Sequence, residues 1–297
     1  MKKMKATEAF VETIVEDIDK YLEEAGFGPI GSIAVKDITK ASESYLGLVI
    51  NKAGSPISVS LDLDMFYSQF INEELSYKEI FHRISKAAMT PCPVGDINWM
   101  LDYQEAKKHF IIRAHSKETC WERIKNFPHR ELAKGILLTV SILVNQTSSG
   151  CSTTTVDKDL LKHWNVTEEQ LFKDAIEVSP TVAPVKIQSL SESIGLPEDP
   201  GMPPVLIVTN EKNNYGAASI FYPGIIKQLA ERMGGGFIAL PSSIHEWLIM
   251  PDDGQYDMFN QMVNEVNSES VDPTDRLGTC CYRYHEDSIE PMAIEVV

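Results

Sequence analysis

The chain is short of positive charge. Its 297 residues hold 27 Lys and Arg against 43 Asp and Glu, a net charge of −16. Phosphate neutralisation needs clustered cations, and anionic bilayers attract basic surfaces. Direct nucleic-acid binding and membrane-surface docking are therefore both disfavoured. Long apolar runs are missing too. The strongest, Gly135 to Val144, has only strand length, and no segment reaches the roughly 18 apolar residues of a membrane span. Cysteine is sparse and odd in number: Cys92, Cys120, Cys151, Cys280 and Cys281 are scattered as reduced thiols are, not as a disulfide framework. The basic start Met1-Lys2-Lys3-Met4-Lys5 runs into charged residues and not into an apolar export core. These absences together predict a cytoplasmic protein. With 43% hydrophobic and 24% charged residues the composition is globular, and the length accommodates one large domain or two modest ones.

Familiar ligand motifs are absent as well. There is no Walker motif, dinucleotide fingerprint or EF-hand loop, and no cofactor is expected. Gly234-Gly235-Gly236 follows a helical pattern and does not precede one, which makes it a C-cap and not a phosphate cradle. Cys280, Cys281 and His285 invite a metal reading. Only Cys281 and His285 would share a strand face, and zinc needs three or four ligands. Structural thiols are the expectation, with no metal site. Asp62 and Asp64 read as a solvated strand end, with two acids on one face.

What is present is an alternation of helical and strand patterns. Phe10, Val11, Ile14, Val15, Ile18, Tyr21 and Leu22 recur at three- and four-residue steps and predict an amphipathic helix stopped by Gly26 and Gly28. Strands follow at 32–39, 45–51 and 57–63. Ser76 with Glu79 three residues on forms a capping box for a helix over 77–88, ended by Pro91 and Pro93. Residues 102–126 are helical in part, interrupted by a strand near 110–112. A hairpin joins 135–145 to 151–156, and Thr155 and Thr167 are expected to cap the next two helices. Residues 179–204 hold six prolines and read as a linker or surface loop, with a short helix inside it at 185–194. Beyond it, 205–209, 217–221, 237–240, 247–250, 280–285 and 292–296 read as strands, and 223–233 and 255–266 as helices. The expected class is α+β, with helices packed on mainly antiparallel sheets. Its expected regions are an N-terminal one (1–178) and a C-terminal one (205–297).

The segment Leu240-Pro241-Ser242-Ser243-Ile244-His245-Glu246 resembles the Leu-Pro-Ser-Ser-aliphatic-His-Glu stretch of a bacterial family of unknown function. Val208-Thr209-Asn210, Tyr215-Gly216-Ala217-Ala218, Phe127-Pro128-His129, Trp164 to Glu169 and Tyr282-Arg283-Tyr284 are similar to the same family. The resemblance implies a bacterial, often mobile-element-associated setting and no particular reaction. Taken as chemistry, Ser242 or Ser243 with His245 supplies the residue types of a nucleophile and its base, with Glu246 beside them. A hydrolase or transferase is the reading this supports. The competing one is a hairpin whose serines satisfy turn amides while His245 holds a buried hydrogen bond. On a strand, His245 and Glu246 would point to opposite faces, and there is no Gly-x-Ser-x-Gly elbow.

Charge distribution carries the last inference. From Glu246 to Glu295 twelve acids meet only Arg276 and Arg283, a net of −10. Such a surface either simply aids solubility or engages a basic protein partner, with Asp252, Asp253, Asp257 and Glu265 as the expected binding residues. An uncharacterised, non-enzymatic acidic binding protein is the function this favours.

Overall fold

The computed structural model describes residues 4–39, 44–53, 58–90, 97–147, 150–197, 201 and 203–292. The chain divides into two compact units, Met1–Gly95 and Asp96–Val297. The expected division at 179–204 instead falls inside the second unit.

The first unit is built from helix α1 (Glu8–Glu24), strands β1 (Ile30–Thr39), β2 (Ser44–Lys52) and β3 (Ser58–Asp62), and helices α2 (Leu63–Ile71) and α3 (Tyr77–Met89). The strands form one antiparallel sheet in sequence order. Apolar positions at helical spacing bury Phe10, Ile14, Ile18 and Leu22 of α1 with Ile80, Phe81 and Ile84 of α3 and Leu48 and Ile50 of β2. The capping box of Ser76 and Glu79 is formed, and the serine's bonds hold the Glu79 carboxyl below its usual pKa. The stop expected at Pro91 and Pro93 lies outside the described residues.

One expectation here is overturned. Asp62 and Asp64 do not share a strand face, because β3 ends at Asp62 and helix begins at once. Asp62 is the N-cap of α2, accepting from Met65 N at 2.9 Å. Asp64 is buried, and its two oxygens accept from Ala6 N (2.8 Å) and Leu46 N (3.0 Å). One carboxylate thus ties the entry to α1, the middle sheet strand and α2 together.

The second unit begins with a 3-10 turn, α4 (Tyr103–Ala106) and β4 (Phe110–Ser116). It continues with α5 (Lys117–Ile124), β5 (His129–Ala133), β6 (Ile136–Thr147), β7 (Gly150–Thr155), α6 (Lys158–Trp164) and α7 (Glu168–Val182). Strand β6 pairs along one edge with β4 and along the other with β5 and then β7, all antiparallel. The tip of the β6–β7 hairpin at 148–149 lies outside the described residues. Thr167 caps α7 as expected, through Gln170 N. Thr155 does not cap α6: it still belongs to β7, and Asp157 accepts from Leu160 N instead.

Next come β8 (Val185–Ser189), α8 (Leu190–Ser193), β9 (Leu206–Asn210), a 3-10 helix (Gly216–Phe221) and α9 (Ile225–Arg232). Strands β10 (Phe237–Ser243) and β11 (Glu246–Pro251), helix α10 (Tyr256–Glu269), and strands β12 (Tyr282–His285) and β13 (Ser288–Pro291) close the unit. The strands form one sheet in the order β13-β12-β10-β11-β9-β8. The proline-rich stretch is thereby absorbed. Residues 185–189, expected as part of a short helix, pair with β9, and α7 runs through Pro180 to Val182. Residues 217–221, expected as a strand, form the 3-10 helix, whose six residues are all buried. An apolar run buried on every side carries no period to separate strand from helix. Strand β13 lies at 288–291 and Met292 is outside it; the rest of the strand expected at 292–296 falls outside the described residues.

The sheet is covered on both faces. Phe237 and Ala239 of β10 join Trp247, Ile249, Phe110, Leu138 and Phe172 in the main core. The alternate residues Ile238 and Leu240 meet Phe259 and Val263 of α10. Ser179, fully buried in α7, donates to Ala175 O (2.5 Å) and accepts from Ile112 N (3.0 Å), which covers the outer edge of β4.

Asp64→Ala leaves two amides without their charged acceptor, at a cost of about 3 kcal/mol. Urea denaturation followed by a probe within the first unit checks this; a loss below about 1 kcal/mol would show that water replaces the carboxylate.

Candidate functional site

Three of the stretches singled out in the sequence, Val208–Asn210, Tyr215–Ala218 and Leu240–Glu246, meet at the turn between β10 and β11. Strands β10 and β11 pair through Ser243 and Glu246, so Ile244 and His245 form the turn between them and not strand. Buried Ile244 is the anchor: its N–H donates to Asp275 O (2.8 Å) and its carbonyl accepts from Ala217 N (3.2 Å). The His245 carbonyl accepts from Thr209 Oγ1 at 2.8 Å.

Against this turn lies the loop 211–215. The Asn210 side chain organises it, its Oδ1 accepting from Lys212 N and Asn214 N while its Nδ2 donates to Asn214 O. Asn213 (φ 52°) and Tyr215 (φ 54°) are left-handed, a conformation that costs an aromatic residue free energy and persists only where its surroundings impose it. The imposing contact is an N–H bond from Tyr215 to His245 Nδ1 at 2.9 Å. Gly216 follows because nothing larger fits. A Cβ there would stand 2.3 Å from Thr209 Oγ1 and 2.4 Å from Asn210 N. Ser219 Oγ lies within bonding distance of the carbonyls of Thr209 and Gly216, and Trp247 Nε1 donates to Ala217 O.

The Tyr215 ring faces the guanidinium of Arg113, whose Cζ lies 3.4 Å from the ring centroid. Arg113 comes from β4 and is 9% exposed; its Nη1 donates to Thr153 Oγ1 of β7, and its Nε is buried without a partner among the described residues. Two residues along the same face, His115 bonds Thr139 Oγ1 at 2.9 Å. Burial, then Arg113 and Arg123, push the His115 imidazole down to about 3, so it stays neutral.

The expected catalytic residues do meet here, but the ring of His245 does not meet a serine. Ser243 Oγ accepts from the His245 backbone N–H (3.1 Å), and Ser242 Oγ donates to Glu246 Oε1 (3.4 Å). Because Nδ1 accepts from Tyr215, the neutral ring carries its proton on Nε2, which lies 3.7 Å from Asp275 Oδ2. The one free lone pair of the imidazole is engaged by backbone. What this arrangement does chemically is hold a strained loop, with Tyr215 between an imidazole and a guanidinium. Tyr215 stood out only within a family-like stretch and Arg113 and Asp275 not at all, although an arginine inside the otherwise apolar run Phe110–Ala114 is a legible signal of a buried polar partner.

The expected binding acids separate into two kinds. Asp252 is half-buried and paired, accepting from the exposed Arg283 Nε (2.7 Å) and from Tyr256 OH (3.0 Å). Asp253, Asp257 and Glu265 are exposed around α10. Their hydrogen bonds are local: Asp253 accepts from Gln255, and Glu265 from Gln261. The thiols sit apart from any ligand set. Cys281 packs under α10, and burial raises its pKa to about 11. His285 is exposed. No group of three or more His, Cys, Asp or Glu able to hold a metal occurs among the described residues.

Gly216→Ala is expected to prevent native packing of the 209–216 loop, costing several kcal/mol, on the order of other backbone clashes; an unchanged melting temperature would disprove the close approach. His115 yields a pH test. Its folded pKa lies below the ordinary 6.5, so below that pH the unfolded chain gains a proton that the folded one refuses. The stability this contributes is full above pH 6.5 and is lost as pH falls towards about 3. His115→Gln should flatten that loss by about 1.4 kcal/mol per pH unit, read from urea midpoints; an unaltered slope would place the titration elsewhere.

No curated protein and no solved structure matches the chain. Residues 7–286 match a family described as a family of unknown function, DUF5688. That span takes in both compact units up to β12 and all of the segments gathered around His245 and Tyr215. The chain therefore belongs to the DUF5688 family of unknown function.

Proposed function

We propose that this protein is a non-enzymatic accessory protein that binds a basic protein partner through its acidic C-terminal surface. One observation carries the reading: the twelve acids of 246–295 meet two arginines, and both arginines already bond within the chain. Arg283 pairs with Asp252, and Arg276 Nε donates to Val271 O. Asp253, Asp257, Glu265 and Glu269 are exposed, with no ion pair among the described residues. Four like charges left without cations repel one another, and a cationic partner relieves that repulsion. A mobile-element-associated, cytoplasmic setting is consistent with this role, and no helix among the described residues is long and apolar enough to cross a membrane. The hydrolase or transferase alternative has no serine-to-imidazole hydrogen bond to support it, since the two hydroxyls bond elsewhere.

The test is affinity capture from the native host with the full chain and with a variant carrying Asp253→Asn, Asp257→Asn and Glu265→Gln. Asp252 is left intact because its pair with Arg283 belongs to the fold. Basic proteins should be retained by the wild type at low salt, released at high salt, and depleted from the variant capture. Identical partner lists for the two proteins at low salt would overturn the reading.

A further inference from the structure

We infer that α10 is the recognition element of this surface, and that it receives a basic amphipathic helix of a different protein on an apolar row edged by carboxylates. The inference rests on the acidic-surface reading and names the partner's form. Met258, Met262 and Val266 stand four residues apart and are 44%, 41% and 44% exposed. At 100° per residue they form one row along two turns, roughly 12 Å long. The row lies between the buried face of α10 (Phe259, Asn260, Val263, Asn267) and the exposed acids Glu265 and Glu269, with Asp257 and Asp253 at the helix start. The helix contains no lysine or arginine.

The platform is rigid. Asn260 donates to Met292 O and accepts from Cys281 N, Asn264 donates to Thr279 O, and Asn267 donates to Gly278 O. Three side-chain amides therefore pin α10 to the sheet and to the segment after it. Methionine suits the exposed row, because its unbranched, polarizable side chain adapts to whatever apolar surface it meets.

Charge selects the occupant. A second copy of this chain would set Glu265 and Glu269 against the same acids, and like charges facing one another across an interface are unfavourable. A partner helix with lysines or arginines beside an apolar stripe satisfies both the row and its edge. A row running along two turns of a helix is complemented by the apolar stripe of a second helix packed beside it, side chains of one filling the grooves of the other.

The experiment uses the full-length protein and two synthetic peptides of identical Leu and Lys composition. One is ordered as an amphipathic helix and the other is scrambled so that it has no apolar face. Binding is measured by calorimetry for the wild type, for a row variant (Met258→Ser, Met262→Ser, Val266→Ser) and for the charge variant described above. The expected result is that the helical peptide binds the row variant at least ten-fold more weakly than wild type, while the weak electrostatic binding of the scrambled peptide is unchanged. The charge variant should weaken both. Equal affinity of wild type and row variant for the helical peptide would overturn this inference and leave the acidic-surface reading standing. Failure of both peptides to bind the wild type would overturn that reading as well. Methyl NMR of the methionines during titration of the wild type needs no variant: shifts should centre on Met258 and Met262, and shifts confined to other methionines would overturn the inference. Sedimentation of the free protein is the final check. A wild-type oligomer that the row variant dissociates would assign the row to self-association and overturn the choice of partner.

Discussion

The close approach of Gly216 to the end of β9 governs the arrangement of the second unit's most distinctive region. With a side chain at 216, Thr209 and Asn210 would have to move. Thr209 would then lose the His245 carbonyl, and the turn between β10 and β11 would lose the contact that places its imidazole. The same approach brings the Tyr215 N–H onto Nδ1 and the Tyr215 ring onto Arg113. Four segments distant in sequence (β4, 209–216, 242–246 and 275) thus depend on one missing Cβ. Each bond is modest, about 1 kcal/mol net, but an orphaned donor or acceptor in so enclosed a place costs more than the bond contributes.

That dependence bears on how the serines and His245 are understood. Residue types suited to catalysis are present, and their hydrogen bonds point to architecture. The imidazole accepts a backbone amide, Ser243 closes a turn on the following amide, and Ser242 reaches Glu246. The buried polar face beneath them follows the same logic. Arg113 is surrounded by an aromatic face and a threonine hydroxyl, and His115 is kept neutral beside it. Acidic surface and polar interior serve different ends: the first is solvated and unpaired, the second is enclosed.

Local features were the legible ones. The capping box at Ser76 and Glu79 needs only four residues and forms as read. The amphipathic period of α1 names its own buried face, and the glycines after α9 close it as a C-cap, with Gly235 N donating to Ala230 O. Readings failed where the deciding partner was remote. Asp64 looks like a surface acid until the amides of Ala6 and Leu46 arrive from elsewhere in the first unit. Residues 217–221 look like a strand because uniform burial erases the period. Asp252 counted with the free acids until Arg283, thirty-one residues on, took its carboxylate.

By itself the sequence determined the α+β class, the antiparallel pairing of its hairpins, the family to which the chain belongs and the concentration of acid after residue 200. All of these follow from composition, short-range spacing or the run of residues 7–286 that matches the family. Tertiary structure alone decided which acids stay free, which nitrogen of His245 carries the proton, and that Arg113 and Tyr215 belong with it. It also decided that Met258, Met262 and Val266 remain exposed on a helix fixed by its asparagines. The physical reason is the range of the interactions. Hydrophobic period and capping act within a turn or two of chain, whereas hydrogen bonding, stacking and burial depend on residues brought together only when the chain has folded.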